Sequence, residues 1–143
     1  MTITFSEPVD RRLKTFIICL SLFSLIGLIL FPAFPKSAME FIDIPLHLIG
    51  GALSAIFFII VSSSFLSRDA LARISRLFMM LITICFVSLI TVLWECFELF
   101  TDTYFQTGLQ ASIAETLKDM IVGLIGGMSG SFCWPHQNKW KQN

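Results

Sequence analysis

Three pairs of ionisable side chains have the spacing of shared helix faces. Asp43 and His47 are four residues apart, Glu95 and Glu98 three apart, and Glu115 and Asp119 four apart. On a helix, residues at these spacings stand one above the other. Carboxylates with one imidazole make a hard, oxygen-rich donor set suited to a divalent metal such as Mg, Mn, Fe or Zn, the imidazole favouring the transition metals. Helical bundles build di-metal sites from carboxylates on facing helices, but the ExxH signature of that class is absent here. Chains of intramembrane carboxylates and histidines also relay protons, so the same residues suit a second chemistry.

Whether such groups matter depends on where they sit, and composition places them in an apolar setting. The chain has 143 residues, 55% of them hydrophobic and only 14% charged, with mean hydropathy +0.80. Soluble domains are nearer a quarter charged, which puts this chain in the membrane class. Formal net charge is zero and no basic run occurs, so no nucleic-acid partner is expected. Cys19, Cys85, Cys96 and Cys133 lack CxxC spacing, which excludes a zinc ribbon and predicts buried apolar thiols.

Hydropathy predicts an all-α polytopic membrane protein, a four-transmembrane-helix bundle forming a single domain over residues 1–143. The expected spans are 13–34, 44–66, 77–100 and 115–134. The stretch 13–34 is too long for a signal-peptide core and has no small-residue cleavage site after it. The apolar run Met120–Trp134 covers only roughly 22 Å at 1.5 Å per residue. The fourth helix must therefore draw in Glu115 to Asp119, which pulls Asp119 below the interface.

Orientation follows from the basic residues. Arg11, Arg12, Lys14, Arg68, Arg73, Arg76, Lys139 and Lys141 fall on one side, and only Lys36 and Lys118 on the other. Eight against two predicts cytoplasmic N- and C-termini. All three polar pairs then belong to the outer half of the bilayer.

The run Asp43-Ile-Pro-Leu-His-Leu-Ile-Gly50-Gly51 can be laid over Asp119-Met-Ile-Val-Gly123-Leu-Ile-Gly126-Gly127. Both runs enter from the same side, as two parallel hairpins would. Small residues four apart let helix backbones approach closely. Gly50, Gly51, Gly123, Gly126 and Gly127 therefore predict that spans two and four are neighbours, with Asp43 close to Asp119.

Each polar residue has a plainer reading beside the functional one. Asp43 and Glu115 also suit a helix start, where the dipole favours acids. Glu98 can reach the interface, and His47 can simply hydrogen-bond Asp43. Glu95 and Asp119 lie deepest and are hardest to explain by solvation. Acids this close cannot all be charged without a cation, a bound ammonium group, Lys118 or shared protons.

At Asp43-x-x-x-His47, Trp94-Glu95-x-x-Glu98 and an acid-x-x-x-Asp119 start followed by Gly123 and Gly126-Gly127, the chain resembles the VanZ-like and YjdF-like small bacterial membrane proteins. The resemblance covers roughly residues 40 to 130 and departs from the YjdF-like pattern at Glu115, where Asp is usual. It implies a multi-pass protein of the bacterial cytoplasmic membrane and a link to low-level glycopeptide resistance without a settled mechanism.

Two functions fit these features. In one, Asp43, His47, Glu95, Glu98 and Asp119, with Trp94 and Glu115 beside them, hold a divalent cation at the outer leaflet. That cation engages a lipid or cell-envelope precursor through its phosphate. In the other, the acids carry protons or cations for transport, a role for which four spans are few unless the chain forms a homo-oligomer. A regulatory subunit is the blandest alternative. No P-loop, HExxH or Ser-His-acid arrangement assigns a reaction.

Overall fold

The computed structural model describes residues 14, 17, 18, 36–107 and 112–133, so the span expected at 13–34 lies almost entirely outside the described residues. Among them the structure is all helical, with no strand. Its helices are α1 (Lys36–Phe65), α2 (Arg68–Arg73), α3 (Arg76–Phe105) and α4 (Ile113–Ser131). Serine punctuates three of the starts. Ser67, Ser75 and Ser112 accept the backbone N–H of Ala70, Phe78 and Glu115 at 3.2, 3.1 and 3.2 Å. A hydroxyl there satisfies a donor that the first helical turn leaves without a partner.

Among the described residues two segments are long and apolar enough to cross a membrane, Phe41–Phe65 with 25 residues and Arg76–Phe105 with 30. The outward face of α3 carries Leu77, Leu81, Leu89 and Leu93, each more than half exposed. A soluble protein would cover such a surface. α4 has 19 residues, about 28 Å at 1.5 Å per residue. Glu115, Lys118 and Asp119 in its first two turns keep it from reading as a purely apolar span.

Both long helices overrun their expected ends. α1 starts at Lys36 rather than residue 44 and runs through Pro45. Proline removes one N–H and crowds the carbonyl four residues before it, here that of Phe41, without ending the helix. α3 continues past residue 100, and its threonine hydroxyls bond back to carbonyls one turn earlier rather than drawing the chain out of the helix. Thr101 donates to Glu98 O at 2.9 Å and Thr103 to Leu99 O at 2.7 Å. It stops at Gln106, whose left-handed φ of 53° turns the chain. The basic connection between the long helices holds α2, framed by its two serines.

Three helices share a seam. α1 contributes His47, Gly51, Ser54, Ala55 and Ile59; α3 contributes Met79, Thr83, Val87, Thr91, Glu95 and Glu98; α4 contributes Asp119, Gly123, Gly126, Gly127, Gly130 and Ser131. One end is apolar, where Leu71 of α2 packs with Ile59 and Met79. The other end is polar.

Between them the backbones touch. A Cβ on Gly51 would collide with the carbonyl of Gly123, one on Gly126 with the carbonyl of Leu48, and one on Gly130 would lie 2.6 Å from Ala52 O. The order of these contacts makes α1 and α4 parallel neighbours. Gly127 differs from the expected role: its missing side chain faces α3, 2.6 Å from Val87 Cγ1, while its N–H side abuts Gly51. It serves a three-helix junction, since its Cα and its backbone point to different partners. Gly50 is only half-buried.

Candidate functional site

The polar end is assembled by the buried face of each helix. One turn above Gly51, α1 presents His47, 9% exposed, with Asp43 a further turn above. The same stripe that buries Val87 and Thr91 on α3 continues to Glu95 and Glu98, 5% and 6% exposed. One turn before Gly123, α4 presents Asp119, 4% exposed. The close glycine packing below is what brings these side chains within reach, because helices separated by larger residues would hold them apart.

The imidazole of His47 is the hub. Its Nε2 lies 3.3 Å from Asp43 Oδ1 and 4.0 Å from Glu98 Oε1, and its Nδ1 lies 3.9 Å from Glu95 Oε1. Two overlapping donor sets result: Asp43, His47 and Asp119, and His47, Glu95 and Glu98, each with its donor atoms within 4.8 Å of one another. Ligands on a tetrahedral zinc ion stand about 3.4 Å apart, given bonds near 2.1 Å. The Asp43–His47 pair already has that spacing, and the others need a side-chain movement of about an ångström.

Two buried oxygens have no hydrogen-bond partner, Glu95 Oε1 and Asp119 Oδ1. Native proteins rarely leave such atoms unmatched. Lys118 Nζ stands 3.5 Å from Asp119 Oδ1 as an ion pair, half-exposed at the rim of the cluster. Glu98 is held from the side: Trp94 Nε1 donates to its Oε1 at 2.6 Å. Trp94 is thus a direct partner of the cluster through Glu98.

Glu115 is half-buried in the first turn of α4, where its N–H bonds Ser112, one turn before Asp119; it stands outside the two donor sets. The cysteine expectation needs correction: Cys85, Cys96 and Cys133 are free thiols and are exposed rather than buried. In an apolar environment the outside of a helix suits a thiol as well as the inside does.

Two residues escaped sequence reasoning. Thr116, whose side chain hydrogen-bonds Glu95, lies three residues before Asp119 on the same face, a spacing that signals it. Arg76 at the opposite end donates to the carbonyl of Phe132 at 3.2 Å, closing α4 where its dipole favours a cation. That contact spans the sequence and had no local signal.

Among the described residues the structure is all helical, with two apolar helices of membrane-crossing length, the physical character expected of an integral membrane protein. The family comparison agrees: the chain belongs to the family described as predicted membrane protein (DUF2238), whose model matches residues 2–137. No curated protein and no solved structure matches the chain.

Proposed function

We propose that the chain is a four-span bundle of the bacterial cytoplasmic membrane, in which 13–34, α1, α3 and α4 form a single domain with cytoplasmic termini. Its polar end faces the outer leaflet and holds a divalent cation that engages the phosphate of a lipid or envelope-precursor head group. The observation that carries this reading is the pair of buried oxygens without a hydrogen bond, Glu95 Oε1 and Asp119 Oδ1, set around His47. A cation satisfies carboxylate oxygens that have no hydrogen-bond donor. Lys118 at the rim adds a positive charge for an anionic head group. The eight-to-two basic asymmetry supports the orientation, and the VanZ-like and YjdF-like resemblance supports the envelope setting. A bound metal would act there as a Lewis acid toward the phosphoryl oxygen.

A second reading has one observation in its favour. His47 stands between Asp43, Glu95 and Glu98, and an imidazole bridging carboxyls passes protons. Elemental analysis separates the two. After equilibration with Mn2+ or Zn2+ and gel filtration, detergent-purified protein should retain one equivalent per chain, and His47→Ala and Asp119→Asn should retain none. A wild-type protein that retains no ion favours the relay and overturns the cation reading.

A further inference from the structure

We infer that the cation sits on the Nε2 edge of His47 with Asp43, Asp119 and Glu98, while Glu95 binds no metal and orients the imidazole through its Nδ1–H; this division of labour rests on the cation reading above. The two ring nitrogens point in divergent directions, so one ion cannot touch both. The carboxylates facing Nε2 are Asp43 Oδ1 at 3.3 Å and Glu98 Oε1 at 4.0 Å. Asp119 joins Asp43 and His47 in one donor set. The oxygen facing Nδ1 is Glu95 Oε1 at 3.9 Å.

The two unmatched oxygens then acquire different partners. Asp119 Oδ1 meets the ion. Glu95 Oε1 meets a proton, because a neutral imidazole whose Nε2 lone pair is on a metal carries its hydrogen on Nδ1. Carboxylates in that position fix the tautomer and the ring plane of metal-bound histidines. Glu95 is suited to it: it is buried, it is steadied by Thr116, and its free oxygen needs a donor. Trp94 performs the matching task for Glu98, holding in place the carboxylate that faces Nε2.

The overlapping set of His47, Glu95 and Glu98 omits both aspartates. It would leave the shortest contact of the imidazole, Nε2 to Asp43, outside the site. The first arrangement uses that contact directly.

The chain has two histidines, so 15N-histidine labelling of a His136→Gln protein isolates His47. With one equivalent of Zn2+, the spectrum should show Nε2 ligated and Nδ1 protonated. Glu95→Gln should still bind one ion with an affinity lower by roughly 10–100-fold, the usual effect of removing such a supporting carboxylate. Asp119→Asn and Glu98→Gln should show much larger losses. Ligation at Nδ1, two ions per chain, or loss of the ion in Glu95→Gln with retention in Glu98→Gln overturns the assignment and leaves the cation reading intact. The labelled protein carries the test even where a substitution fails to fold. Absence of any bound ion in it overturns both.

Discussion

The two ends of one seam are built on opposite terms. At the apolar end, Ile59, Leu71 and Met79 pack side chain against side chain, and the buried polar atoms are mostly bonded within their own helix. Thr83, for example, donates to Met79 O at 2.7 Å. At the polar end, four carboxylates surround one imidazole, and two buried oxygens lack a hydrogen bond. The first end is optimised for cohesion. The second carries the unfavourable groups, the pattern a functional region commonly shows. Between them the glycines hold α1 and α4 so close that both ends depend on their fit.

Substitutions should therefore differ in sign along the seam. The largest effect falls in the middle. Gly51→Leu has no room against the backbone of Gly123, so the helices must part. Loss of a cooperative thermal transition in detergent checks this, and a normal melt would show that α1 and α4 tolerate separation. At the apolar end, Leu71→Ala removes a side chain that is 1% exposed and should cost about 2–5 kcal/mol by leaving a cavity. Its cation binding should change little, because the cavity opens far from His47.

The polar end should respond the other way. In cation-free protein, Glu95→Gln replaces a buried carboxyl whose Oε1 has no hydrogen bond, among three other acids, and it should raise stability by roughly 1 kcal/mol. A lower melting temperature would place Glu95 among the cohesive residues. Trp94→Phe should be the mildest change. It keeps the ring and deletes the 2.6 Å bond to Glu98, so stability should barely move while cation affinity falls roughly tenfold, the scale of one charge-assisted hydrogen bond.

Much of this arrangement was legible in the residues themselves. Hydropathy marked the long helices, i,i+3 and i,i+4 spacing marked which acids share a face, and small-xxx-small spacing marked α1 and α4 as neighbours. What stayed hidden depends on contacts between helices or on backbone detail. Nothing local says that Gly127 turns toward Val87 or that Arg76 closes α4. Helix ends were missed for a different reason. Thr101 and Thr103 turn their hydroxyls back to the carbonyls of Glu98 and Leu99, so α3 runs into a segment whose polarity suggested a loop, and Pro45 interrupts α1 without ending it.

The claim most exposed to test is that His47 and its acids hold a divalent cation. Titrating Mn2+ into detergent-purified protein while following the free-ion electron paramagnetic resonance signal measures it without a substrate. One equivalent should vanish from the free signal of the wild type, and the full signal should persist with a folded His47→Ala/Asp119→Asn protein. Equal uptake by both proteins, or no uptake by the wild type, would contradict the account.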